Sequence, residues 1–276
     1  MSFRRSRNVL LLCTLCSLSA VYFTACSNNS ATPVAQVSET QTSISNMKAG
    51  DVIPNQYLVV FSANGVQSSS VNTDAMIQST CASIGLPASA VLFSYRDALH
   101  GFCATMTSSQ VGQLQKDSRI AYIEPDRVVK LEPCTVISDK TSNSLQSQTT
   151  PWGITKVGGA GNGSLTTIGH RAWIIDTGID LTHSDLTVDV TRSKTFITSG
   201  QDAQSANDLH GHGTHVAGII AAKNNTIGVV GVAAGATVVA IKVLDASGSG
   251  TTSGVIAGID WVRTHASAGE PNQFRQ

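Results

Sequence analysis

Asp208-Leu-His-Gly-His-Gly-Thr-His-Val-Ala-Gly-Ile-Ile-Ala-Ala-Lys223 sets three histidines among glycines and runs straight into an apolar segment. That segment, Val216 to Ala222, predicts a helix, and His212 falls where the loop becomes the helix, held from behind and open in front. A second run upstream, Ala172-Trp-Ile-Ile-Asp-Thr-Gly-Ile-Asp180, is apolar without alternation. Such a pattern belongs to a parallel strand covered on both faces. Asp176 then lies at the carboxyl end of that strand, where open α/β sheets place their chemistry. A carboxylate that fixes the tautomer of an imidazole makes Asp176 and His212 two members of a Ser-His-Asp arrangement, with His212 as general base.

The 276 residues allow one or two domains, and a net charge of zero with 13% charged residues gives nucleic acid no basic surface to recognise. Arg4, Arg5 and Arg7 precede an apolar run from Val9 to Thr24 that is short for a membrane span and reads as a secretory signal. Phe23-Thr24-Ala25-Cys26 resembles a bacterial lipobox, which implies lipidation of Cys26 and an envelope-anchored protein; a plain cleaved signal and secretion is the other reading. Of the remaining cysteines, Cys81, Cys103 and Cys134 allow one bridge at most, and none follows Cys134.

Residues 1–26 are thus expected as signal and 27–50, rich in Ser, Thr, Gln and Asn, as a tether. Residues 51–131 show strand patterns at Tyr57–Phe61, Val91–Tyr95, Gly101–Met106 and Ala121–Glu124, with helical spacing at Val71–Ile84 and Ser108–Lys116. This β-α-β-β-α-β order is the ferredoxin-like α+β arrangement. Residues 132–147 are polar again and read as a cleavable linker. From residue 148 to 276, strands at Thr166–Ile175 and Ala236–Leu244, a turn at Thr182–Leu186 and helices at His212–Lys223 and Thr252–His265 alternate. The fold class expected there is α/β, part of a doubly wound parallel sheet.

Ile175-Asp-Thr-Gly-Ile and His212-Gly-Thr-His-Val-Ala-Gly resemble the Asp and His boxes of the subtilisin-like serine proteases, in that family's chain order. Tyr57-Leu-Val-Val-Phe, Ala98-Leu-His-Gly-Phe-Cys-Ala and Arg119-Ile-Ala-Tyr-Ile-Glu-Pro-Asp-Arg resemble the family's inhibitor-type propeptide. The resemblance implies a serine endopeptidase zymogen acting on protein or peptide substrates, with its own propeptide laid through the active-site cleft. It places Glu124 and Asp126 against helix amino termini, Leu244 beside a side-chain pocket, and Gly248, Ser249 and Gly250 on the edge that pairs with substrate backbone. It puts the processing cut near Gln146-Ser147, ahead of the mature-like Gln148-Thr-Thr-Pro-Trp-Gly-Ile. It also implies a structural calcium ion held by Gln148, Asp185, Asn225 and the loop carbonyls of Lys223, Ile227 and Val229, oxygen donors of the kind calcium takes.

The family's nucleophile box, Gly-Thr-Ser-Met-Ala, is not in the sequence, and beyond Gly269 the resemblance lapses, so the expectation is an amino-terminal part of a subtilase, inactive as it stands. The alternative is a non-catalytic exported module that inhibits or chaperones a subtilase of another chain. Two rival readings of the residues are a metal cluster of His210, His212 and His215, and an aspartic-protease Asp-Thr-Gly loop at Asp176. His210 and His215 are better explained as box residues around His212, and the helices and the His box that follow Asp176 weigh against the aspartic-protease reading.

Overall fold

The structure is a computed structural model that describes residues 44–62, 70–132, 147–159 and 171–266. The signal and lipobox residues, Cys134, most of the expected linker and the chain beyond 266 lie outside the described residues. No described helix is long and apolar enough to cross a membrane.

The amino-terminal half is built from β1 (Val52–Phe61), α1 (Ser70–Ser83), β2 (Val91–Tyr95), β3 (Gly101–Thr105), α2 (Ser108–Leu114) and β4 (Ile120–Lys130). Its strands run antiparallel in the order β2-β3-β1-β4. Leu58, Val59, Val60 and Phe61 are all buried, which explains a strand pattern without alternation. Val59 and Phe61 pack with Met76, Ile77, Phe102 and Leu114 under α1 and α2, whereas Leu58, Tyr95 and Cys103 look the other way, onto Ala257. Helix α2 starts in a capping box, Thr107 accepting from Gln110 N–H while the Gln110 side chain accepts from Thr107 N–H.

β4 is longer than the Ala121–Glu124 strand that the pattern predicts. Glu124-Pro-Asp-Arg127 reads as a strand end, yet the chain stays extended because β1 pairs with Glu124, Pro125 and, past a register shift, Arg127, and β9 then pairs with Val128 to Lys130. Cys81 and Cys103 are buried free thiols, and burial pushes the Cys103 thiol up to about 12, with the Asp126 charge adding to it.

The second half contains α3 (Trp152–Lys156), β5 (Arg171–Asp176), β6 (Thr187–Val188), β7 (Lys194–Thr195), α4 (His212–Ala221), β8 (Thr237–Lys242), β9 (Ser249–Thr251) and α5 (Thr252–Ala266). β5, β6 and β7 all pair with β8 in parallel. Along β8, Val238 and Ala240 pack on Ala217 and Ala221 of α4, and Val239 and Ile241 on the α5 side with Val255, Trp261 and Val262. The two helices therefore cover opposite faces of one parallel sheet, the doubly wound arrangement. Gly258 lets α5 sit close: a β-carbon there would come within 2.8 Å of Val243 and 2.9 Å of Ile241.

The halves meet at α5 through polar contacts set in apolar surroundings, among them those of Asp126, Asp260 and Tyr95. Asp126, with no exposed surface, accepts from Ser253 N–H (3.0 Å) and Ser253 Oγ at the start of α5, and from Gln56 Nε2 (2.6 Å). A carboxylate there compensates a helix amino terminus. Asp260 of α5 accepts from the backbone of Arg96, Asp97 and Ala98 (3.0, 2.7 and 2.7 Å), closing the turn between β2 and β3. Tyr95 Oη donates to Ser253 O at 3.1 Å. The expectation for Glu124 needs correcting: it is exposed, and no helix terminus among the described residues bonds to it.

Candidate active site

Asp176 ends β5 and His212 starts α4. His212 Nδ1 lies 2.8 and 2.9 Å from the two Asp176 oxygens and donates to them, which leaves Nε2 facing outward as the basic nitrogen. The approach is close because Gly213 has no side chain: a β-carbon would fall 2.1 Å from Gly178 O and 3.2 Å from Asp176 Oδ1.

Asp208 fastens the two segments together. It accepts from Thr177 Oγ1 (2.9 Å), His210 N–H (2.9 Å), Gly211 N–H (2.8 Å), Thr214 N–H (2.9 Å) and Thr214 Oγ1 (2.6 Å). Thr177 in turn accepts from Gly213 N–H at 2.9 Å. Burial pushes the Asp208 carboxyl up, but the Thr214, Gly211 and His210 donors outweigh it and hold it below the ordinary carboxylate range. Beneath the site, the fully buried Lys242 donates to Thr177 O (2.6 Å) and Leu244 O (2.9 Å) and pairs with Asp202 at 2.8 Å. Asp208, Thr177 and Lys242 were not visible as site residues in the sequence. The signal that could have found Lys242 is a lone cation inside the apolar strand Ala236–Leu244.

Beside the pair runs the β9 edge. Val129 and Lys130 of β4 lie antiparallel to Gly250 and Ser249, and Leu131 N–H donates to Gly248 O at 2.9 Å. Val129 and Leu131 pack on the cluster that contains Leu244. So Leu244, Gly248, Ser249 and Gly250 sit together, and an extended segment of the same chain already lies on them. His210 approaches Gly248 and its ring lies 6.4 Å from that of His212, whereas His215 lines a different surface, an apolar groove along α4. That groove, a cavity of about 820 Å³, runs between Ile154, Val157, Leu186, Ile219 and Val232. Ile219 is 47% exposed on a helix that is apolar on its buried face as well, and such helices belong in a protein interior.

Gln148, Asp185, Lys223, Asn225 and Val229, which the resemblance implies for calcium, also converge. Gln148 Nε2 lies 2.8 Å from Lys223 O, 3.4 Å from Asn225 Oδ1 and 3.5 Å from Val229 O, and Asn225 Nδ2 lies 2.6 Å from Asp185 Oδ1. An amide nitrogen thus stands inside a cage of oxygens; turning the Gln148 amide by half a turn gives that cage one more oxygen. One carboxylate, two amides and loop carbonyls fit a hard cation. Ile227 is tied to the same loop by its bridge to Ser147 and by its N–H, which donates to Asn225 Oδ1 (2.8 Å), but its carbonyl is not among the oxygens that Gln148 meets.

Residues 173–273 match the subtilase family and residues 56–132 the peptidase inhibitor I9 family. The chain is 31% identical over 264 residues to the extracellular serine proteinase of Thermus sp. (strain Rt41A), covering 89% of this chain and 58% of that protein. It is 32% identical over 224 residues to alkaline serine exoprotease A of Vibrio alginolyticus (78% and 39%). To an alkaline protease of Shouchella clausii it is 40% identical over 158 residues (56% and 36%). The chain spans 58%, 39% and 36% of the length of these three relatives. The chain thus carries a segment that matches the subtilase family behind a segment that matches the peptidase inhibitor I9 family.

Proposed function

We propose that the chain is the precursor of a subtilisin-like serine endopeptidase, exported in a self-inhibited form, that hydrolyses protein or peptide substrates through an acyl-enzyme. One observation carries the reading: the Asp176–His212 pair adjoins a strand edge that already holds extended backbone. Gly248 to Gly250 would grip the backbone of a substrate by strand addition, and Leu244 would border a side chain of it. Asp176 keeps the proton on Nδ1, so that Nε2 can take the proton of an attacking hydroxyl and return it to the leaving amine. In the present state β4 fills the substrate's place.

The test is a chimera that continues this chain from Ala266 with the carboxyl-terminal part of the Thermus proteinase. Casein hydrolysis is expected, falling on the order of 10⁶-fold in the His212→Ala version. A chimera with native-like circular dichroism and no hydrolysis would overturn the reading. It would favour the second one, a non-catalytic module that inhibits a subtilase of another chain, which gains weight from an inhibitor half that is fully seated. That module would still inhibit the Thermus proteinase when mixed with it.

Calcium belongs to the same proposal, on the strength of the oxygen cage at Gln148, Asp185, Lys223, Asn225 and Val229. Bound calcium would tie the segment after Ser147 to the end of α4. Calcium at a hundredfold its dissociation constant stabilises by about 2.7 kcal/mol, which is roughly 5–10 °C in melting temperature for a domain of this size. Asp185→Asn removes the one charged donor and should abolish most of that rise. An unchanged melting temperature between chelator and millimolar calcium would remove the site from the proposal. Export rests on the basic flank and apolar run before Ala25, and attachment through Cys26 on Phe23-Thr-Ala-Cys26.

A further inference from the structure

Residues 44–52 precede the inhibitor-family match, which begins at residue 56, and fall mostly in the stretch expected as a tether. They are nevertheless bonded to the part of β4 that lies in the cleft. Gly50 N–H donates to Val128 O at 2.8 Å, and Val128 N–H donates to Asp51 O at 3.0 Å. Val52 pairs with Arg127. Arg127 Nη1 donates to Gly50 O at 2.8 Å and Lys130 Nζ to Ser45 O at 2.7 Å. The segment closes on itself through Lys48 N–H to Asp51 Oδ2 (2.7 Å) and Asp51 N–H to Lys48 O (3.1 Å), and its first turn, Ile44–Asn46, lies against β9.

The alternation of a β-ladder explains why this matters. Successive residues of an extended strand point their N–H and C=O groups to opposite edges. Val129 and Leu131 use theirs on β9, so Val128 and Lys130 present theirs to the other edge, away from the cleft. The body of β1 no longer faces β4 by then: the register shifts between Val52 and Tyr57, with Asn55 at φ 60°, and only Val52, the first residue of β1, still pairs, with Arg127. Without residues 44–52 the inserted strand would be held on one edge only, its other edge open to solvent and to competing strands.

We infer that residues 44–52 are an additional inhibitory element, a strap that completes the outer edge of the inserted strand and holds it in the cleft. The inference rests on reading the β9 edge as the substrate-binding edge. It assigns an inhibitory function to a segment outside both family matches, and it couples whatever happens upstream of residue 44 directly to the hold on the cleft. Loosening the strap frees the tail while leaving the rest of the inhibitor domain seated on α5.

Amide hydrogen exchange on the full chain tests this without any hydrolysis, so its failure is distinguishable from failure of the protease reading. The double variant Arg127→Met, Lys130→Met removes both side-chain ties to the strap and leaves the backbone facing β9 intact. Exchange at Leu131, which donates to Gly248, is expected to quicken on the order of tenfold. Exchange at Arg96, Asp97 and Ala98, which donate to Asp260, is expected to stay as it was. Unchanged exchange at Leu131 would overturn the inference. If both sets quicken together, the double variant has unseated the whole domain, and Lys130→Met alone decides: Leu131 must quicken with Arg96–Ala98 protected, or the strap has no separate role.

Discussion

Asp126→Ala should release the whole inhibitor half from α5, weakening the docked state by about 3 kcal/mol, or roughly a hundredfold in its equilibrium. Taking a carboxylate out of water costs several kcal/mol, so a buried Asp is favourable only if its donors repay that in full. Here they do: the first turn of α5 offers Ser253 N–H and Oγ, Gln56 offers its amide, and Arg127 N–H lies 2.9 Å away. Alanine leaves these donors buried without an acceptor beside an uncompensated helix terminus. Asn keeps one oxygen but turns an NH₂ toward donors, so Asp126→Asn should lose a large part of the same energy. The reporters are the Arg96, Asp97 and Ala98 amides, which belong to a different contact. Their exchange should accelerate about a hundredfold with that of Leu131, in contrast to the strap variant, where Leu131 alone responds. If those amides keep their protection in Asp126→Ala, the carboxylate does not hold the interface.

The sequence made Asp176 and His212 legible because each stands at a boundary where the pattern changes: an apolar strand ends at one, and a glycine loop becomes a helix at the other. The strands and helices on either side were legible for the same reason, and β8 was foreseen within two residues at each end. What escaped was whatever depends on partners distant in the chain. Asp208 looks like an ordinary loop acid; only the fold brings Thr177 to it from the other box. Lys242 looks like an exception within a strand until Asp202 and two carbonyls are placed around it. The end of β4 was lost at Pro125, since proline and three charges read as a turn unless one knows that a second strand and a strap are waiting for that backbone. Residues 44–50 were lost through composition. A polar stretch has little to bury, but backbone pairing asks for no apolar side chain.

The 276-residue chain by itself should leave casein intact and keep its full mass. His212 has its Nδ1 partner, but among the described residues no hydroxyl bonds to its Nε2, and the hydroxyls of Ser205, Ser247, Ser249 and Ser253 in the neighbouring loops are bonded elsewhere. Ser205 Oγ accepts from Asn207 N–H, Ser247 Oγ donates to Asp245, Ser249 Oγ accepts from Ser247, and Ser253 Oγ donates to Asp126. Ser184 is exposed on the loop ahead of Asp185, and the bond found there uses its carbonyl. A base without a nucleophile cannot form an acyl-enzyme, and removing the nucleophile of such a triad costs on the order of 10⁶ in rate. The residual catalysis of a triad lacking its serine depends on oxyanion donors facing the scissile carbonyl. A covered cleft adds to this, since β4 would have to leave β9 before any substrate could pair there. Incubating the purified chain with casein and recording its own mass over the same period would check both halves of the expectation. Hydrolysis that a serine-directed phosphonate abolishes, or a self-generated cut near Ser147, would mean that one of these serines leaves its present bond to reach His212, and that the pair at Asp176 already has its third member.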